Sequence, residues 1–243
     1  MKHTTIIESL KETVGKESLF STRDLIAFLK KQYPELQEST LGWKINQLKK
    51  EELIFQVGRG FYSFTQKPEF EPVLSLRSKR LYNKVKKLIP ELEICIWELG
   101  MLNQILEEET HRYLVFIAAK KETLELLFSE MLGFSKKVFL NPDKTTIERY
   151  VLPAEEAILL VPLVTETPLM EINDTLLPSL EALLVDTYIK NDLLLKPIGC
   201  STEQIFQEAF KKYKVNQSKL LRYAARRDKR EELNTFIQTI KKT

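Results

Sequence analysis

Long apolar runs are missing from this sequence: none approaches the roughly 18–20 residues that a membrane-spanning helix needs. Met1-Lys2-His3-Thr4 leads into mixed polar residues and not into the apolar core of a secretory leader. Cysteine is scarce as well. Cys95 and Cys200 both lie in apolar surroundings and are too few for a disulfide framework, so a reducing, cytoplasmic setting and no membrane partner are expected. The seven glycines are too scattered for a phosphate-cradling loop. His3 and His111 stand apart from the cysteines, so no zinc pattern forms. No Asp-x-Asp pair occurs, which removes the metal-binding core of ordinary nucleotidyltransferases. The chain is therefore expected to be no enzyme, with no catalytic residues, no metal and no cofactor.

What is present starts with residues 1–66. A helix is expected over 4–14, where Ile6, Ile7, Leu10 and Val14 recur at helical spacing. A second follows over 22–32, with Ser21 placed to cap it, Asp24 in its first turn and Leu25, Ile26 and Leu29 as its apolar stripe. Pro34 ends it. A third is expected over 38–51, with Leu41, Ile45 and Leu48 on one face. Two short β-rich runs, 53–57 and 61–64, flank Gly58-Arg59-Gly60, which is a hairpin signal. Three helices closed by a hairpin give the order of a winged helix-turn-helix.

In that motif the second of the paired helices enters the major groove and its N-terminal part meets base edges. Ser39, Thr40, Trp43, Lys44 and Gln47 then form the expected DNA-binding face. Serine and threonine suit phosphates or bases, and Gln47 suits adenine in a bidentate pair. Lys44 and Lys50 supply phosphate contacts, and Arg59 at the wing tip reaches the backbone or the minor groove. Against this, residues 1–66 carry 10 basic and 8 acidic side chains, a weak field for holding a polyanion.

Residues 67–76, with Pro68 and Pro72, read as a linker, and 77–243 as a second domain. A basic helix is expected over 78–88, then strands over 93–97, 113–118, 137–140 and 157–161, with helices over 101–106 and 123–132 between them. Closing helices are expected over 176–189, 202–213 and 217–240. The fold class is thus α/β (α+β): an N-terminal winged helix plus a C-terminal mixed α/β domain ending in a long basic helix.

Charge is segregated along the chain. Residues 91–200 hold 9 basic and 19 acidic side chains, whereas 211–230 hold 9 basic and only Asp228. Lys219, Arg222, Arg226 and Lys229 repeat every three to four residues within the helix expected over 217–240, so they form one cationic stripe on it. Such a stripe suits a phosphate backbone, an acidic protein surface or the acidic middle of the same chain.

Two rival functions remain open at this point. One is a protein-interaction module that uses the winged helix and the acidic part of the second domain. The other is a nuclease, which needs three or more acids beside a lysine. Glu91, Glu93 and Glu98 precede Lys120 and Lys121, but Ala118 and Ala119 stand where an acid is expected.

Phe20-Ser21-Thr22-Arg23-Asp24-Leu25, Tyr33-Pro34, Ser39-Thr40-Leu41 and Val57-Gly58-Arg59-Gly60-Phe61-Tyr62 resemble the N-terminal winged helix of AbiEi-type antitoxins of type IV toxin–antitoxin systems. The remainder resembles a bacterial family of the same architecture. Its marks here are Phe139-Leu140-Asn141-Pro142, the stretch 162–169, the stretch 180–186 and Asn216 through Arg227. The resemblance implies double-stranded promoter DNA of the protein's own operon as a partner, autorepression, and a functional link to a nucleotidyltransferase-type toxin in phage defence. A lysine commonly follows Leu-Glu in that family where this chain has Ala182, so no role is assigned to that helix.

Overall fold

Ser21 lies in extended backbone, and its hydroxyl accepts the Asp24 amide while the Asp24 carboxylate accepts the Ser21 amide at 2.8 Å. This reciprocal capping box starts α2 (Thr22–Gln32) where the sequence places it. The computed structural model describes residues 2–15, 20–58, 60–106, 112–195 and 199–240. They fall into two compact units, Met1–Glu69 with Lys214–Asn216, and Phe70–Tyr213 with Gln217–Thr243.

The first unit runs α1 (Lys2–Val14), β1 (Phe20–Ser21), α2, α3 (Glu38–Lys50), β2 (Phe55–Gly58) and β3 (Phe61–Ser63). Its antiparallel sheet has the order β1-β3-β2, so the residues just before α2 close the wing as a third strand. The helices bury Leu10, Leu25, Leu29, Leu41, Ile45 and Leu48 in one core, and Phe20 packs against Tyr62 and Phe64. The Gly60 carbonyl accepts the Thr22 amide at 2.7 Å, and Gly60 itself has φ +78°, a conformation that favours glycine.

The second unit begins with α4 (Leu76–Leu88), capped by Ser75. Then come β4 (Ile94–Glu98), α5 (Asn103–Leu106), β5 (Tyr113–Ala119), α6 (Leu124–Leu132), β6 (Val138–Leu140), α7 (Lys144–Thr146) and β7 (Glu156–Pro162). The sheet order is β4-β5-β7-β6, with β4 antiparallel to β5 and the other three strands parallel. These strands are nearly continuous apolar runs because both faces are covered. Buried Glu98 ties α4 to β4 by accepting bonds from the Ser75 and Ser78 hydroxyls. The mixed α/β class is the one expected from the sequence.

Two expected helices differ from the structure. Residues 175–178 form β9 (Thr175–Pro178), the return strand of a hairpin with β8 (Leu169–Ile172). Its turn residues, Asn173 and Asp174, both have positive φ, as a type I′ hairpin requires, without the glycine that usually marks such turns. Then follow α8 (Leu180–Ile189), α9 (Asn191–Leu194) and α10 (Thr202–Lys212). The long closing helix is broken into α11 (Gln217–Arg226) and α12 (Arg230–Ile240). The Lys229 amide bonds the Ala224 carbonyl, the Asp228 amide bonds that of Ala225, and Asp228 has φ +54°. This is a Schellman stop with aspartate in the left-handed position that glycine normally takes. Among the described residues, no helix is long and apolar enough to cross a membrane.

Candidate functional site

Burial of Leu41, Ile45 and Leu48 fixes which side of α3 faces outward in the first unit. Ser39, Trp43, Asn46 and Lys50 are exposed there, spaced four, three and four residues apart, so they form one line along the helix. Trp43 is 62% exposed, far more than a tryptophan that serves packing. The other expected contacts flank that line. Thr40 is half-buried, the Lys44 ammonium lies 4.2 Å from the centroid of the Tyr33 ring, and the Gln47 amide donates to Glu51 at 2.9 Å. Lys49 ties α3 to the wing by donating to the Gln56 side chain at 2.8 Å. Arg59 lies outside the described residues. Asn46 was missed from sequence, although its spacing from Trp43 and Lys50 was the available signal.

The basic segment 217–229 is differently placed. The helix break puts Lys229 beyond α11, so the four expected cations are not one stripe on one helix. Lys219 lies 3.5 Å from the Glu181 carboxylate, Arg226 pairs with Glu166, and Lys229 lies 2.9 Å from Glu232. The bond from Arg226 holds the Glu166 carboxyl below its ordinary range. Arg222 is exposed. Much of the positive charge in this segment is thus matched within the same unit.

The second unit also contains a cavity of about 230 Å³. Cys95, Ala118 and Val161 lie side by side in register across β4, β5 and β7 and line it together with Trp97. Trp97 stacks on Phe116 with ring centroids 4.2 Å apart. Asn141, just past β6, and Pro162, Leu163 and Val164, at and just past the C-terminal end of β7, also line it. From α8 and its C-cap come Asp186 and Lys190, one turn apart; from α11 and its stop come Tyr223 and Arg227. Asp186 Oδ1 accepts from the Tyr223 hydroxyl at 3.3 Å and lies 3.1 Å from Arg227 Nη1 and 3.7 Å from Lys190 Nζ. Burial, with Asp186 adding to it, pushes the Tyr223 hydroxyl up to about 12. Burial pulls the Lys190 ammonium below its ordinary value, and Asp186 opposes that. Burial also pushes the Cys95 thiol up, so it stays protonated and is no ready nucleophile.

Each of the four segments that carry the second unit's family resemblance contributes to this unit's cavity or its ion cluster: Asn141, residues 162–164 with Thr167, Asp186, and Tyr223 with Arg227. The helix that received no role from the sequence supplies two of the charged groups. The signal for it was an aspartate that directly follows the apolar run Ala182-Leu183-Leu184-Val185. Among the described residues, the cavity is lined by a single carboxylate, that of Asp186, and no group of three possible metal ligands occurs. The condition set above for a nuclease, three acids with a lysine, is not met in it.

The chain belongs to a family of unknown function (DUF6577), whose model matches residues 40–243. No curated protein matches the chain at a significant level.

Proposed function

We propose that the protein is a sequence-specific DNA-binding transcriptional regulator that reads DNA with α3. The observation that carries this reading is the exposed line Ser39, Trp43, Asn46 and Lys50 on the helix that a winged helix-turn-helix presents to the major groove. Asn46 suits an adenine edge, Ser39 a phosphate or base, and Lys50 a phosphate. The resemblance of residues 20–62 to the AbiEi-type antitoxin winged helix supports the protein's own promoter as the target. It also supports autorepression beside a nucleotidyltransferase-type toxin.

A mobility shift with the DNA upstream of the gene, at two salt concentrations, tests the proposal. Specific retention of that DNA over an unrelated sequence is expected. Asn46→Ala should cost about 1–3 kcal/mol of discrimination at one base pair, and Trp43→Ala should weaken retention of the specific site. If both variants retained the DNA as wild type does, α3 would not be the reading element. The exposed indole of Trp43 also suits a protein groove, where tryptophan is a frequent anchor. Absence of any retarded species together with capture of a partner protein that Trp43→Ala abolishes would favour that second reading.

A further inference from the structure

Among the described residues, and with Lys190 as its ammonium, the ion cluster lining the cavity of the second unit carries one more positive than negative charge. Lys190 and Arg227 share the Asp186 carboxylate, and their side chains are only 20% and 19% exposed. A cation withdrawn from water without a matching anion is costly. The Lys190 ammonium lies 5.9 Å and 5.2 Å from the Trp97 and Phe116 ring centroids, which offsets a part of that cost. The protonated Cys95 thiol supplies no charge. Apart from Asn141, Thr167 and the Tyr223 hydroxyl, the rest of the lining is mostly apolar, with Ala118, Val161, Leu163, Val164 and Pro178.

Volume narrows the occupant further. A dry cavity of about 150 Å³ accommodates benzene. The cavity here, about 230 Å³, therefore leaves room for a ring-sized apolar body and one small polar group. Its place beside the C-terminal ends of parallel strands β5 and β7 is where open α/β sheets take ligands. Charge selects the polar group: a single negative charge neutralises the cluster, whereas a dianion overshoots it.

From these observations we propose that the cavity is a binding site for a small monocarboxylate with an apolar body of about ring size. Its carboxylate completes the charge of Lys190 and Arg227, and its body lies against Trp97 and the ends of β5 and β7. This does not depend on what α3 binds.

The chain has two tryptophans, so Trp43→Phe in the full-length protein leaves Trp97 as the sole indole reporter at the cavity. Cyclohexanecarboxylate is the probe, with cyclohexanecarboxamide as its neutral match and cyclohexyl phosphate as the dianion. A saturable change in Trp97 emission is expected with the carboxylate, and binding of the amide should be weaker by about tenfold or more. Arg227→Met should weaken carboxylate binding to a similar degree, and Arg222→Met should leave it unchanged. Should Arg227→Met lose its native circular dichroism, Lys190→Met serves in its place. Equal binding of acid and amide, tighter binding of the dianion, or no saturable response up to the solubility limit would each overturn the proposal.

Discussion

Helices α3 and α11 stop in the same way and present opposite surfaces. After α3 the Leu53 amide bonds the Leu48 carbonyl and the Glu52 amide bonds that of Lys49, with Glu52 at φ +55°. After α11 the same pattern has Asp228 at φ +54°. In both, an acidic residue occupies the left-handed site of a Schellman stop. Beyond that they part. The outward face of α3 is mostly uncharged and open, a serine, a tryptophan and an asparagine followed by Lys50. The cations of α11 and its stop are mostly paired, Lys219 with Glu181, Arg226 with Glu166 and Arg227 with Asp186. The lesson is that density of positive charge in a sequence does not locate a free cationic surface. An acidic stretch elsewhere in the same unit takes up the charge first.

The largest expected effect tests whether pairing around α11 is structural. Asp186→Ala leaves Lys190 and Arg227 facing one another without a carboxylate. Removing one member of a buried ion cluster costs about 3–5 kcal/mol, and the residual exposure of these side chains points to the lower end. Urea denaturation followed through Trp97 in the Trp43→Phe background measures it. Lys50→Ala on the exposed face of α3 should stay within about 0.5 kcal/mol of the parent. A loss below about 1 kcal/mol for Asp186→Ala would erase the contrast between the two helices.

Legibility from sequence followed the same division. The winged helix could be read because each signal is local: the capping pair Ser21 and Asp24, the 3–4 spacing of Leu41, Ile45 and Leu48, and Gly60 at the wing turn. The four strands of the second unit's main sheet were legible for a related reason, as apolar runs bounded by polar turns. What failed were the turns made without glycine. Asn173-Asp174 and Asp228 adopt positive φ in the structure, but no composition rule marks them as strongly as Asn-Gly or a C-terminal glycine would. The cavity could not be read at all. Its charged groups, Asp186, Lys190 and Arg227, meet only because α11 packs on α8, which is tertiary information.

A smaller effect concerns the cap that starts α2, the partner of α3 in the helix-turn-helix. Ser21→Ala removes the hydroxyl that accepts the Asp24 amide and should cost about 1 kcal/mol. Bonds from the Ser21 side chain and amide hold the Asp24 carboxyl below its ordinary value of 3.8. A lowered folded-state value means that the contribution is fully present above the unfolded value and is lost as pH falls through the lowered one. Asp24→Asn should therefore be less stable than wild type at neutral pH, with the gap narrowing in acid, below the ordinary carboxylate range. Urea midpoints of the two proteins at neutral and acid pH give the result. A gap that persisted unchanged in acid would mean that the ionised carboxylate is not what stabilises the cap.

The smallest expected change bears on the basic segment itself. Each phosphate contact made by a lysine or arginine contributes about one to the slope of log binding constant against log salt. If Arg222 and Arg226 both touched DNA, replacing them with alanine would flatten the slope by about two. Arg226 is bonded to Glu166, so reaching a phosphate means giving up that carboxylate and exchanging one anion for another. Arg222 is exposed and lies close enough to Glu166 to lower its carboxyl together with Arg226. The double variant Arg222→Ala/Arg226→Ala should accordingly leave the slope of the full-length protein unchanged. Lys50→Ala should flatten it by about one. The reverse pattern would place the DNA on the cations of α11, and the internal pairing would then be a resting arrangement that a polyanion displaces.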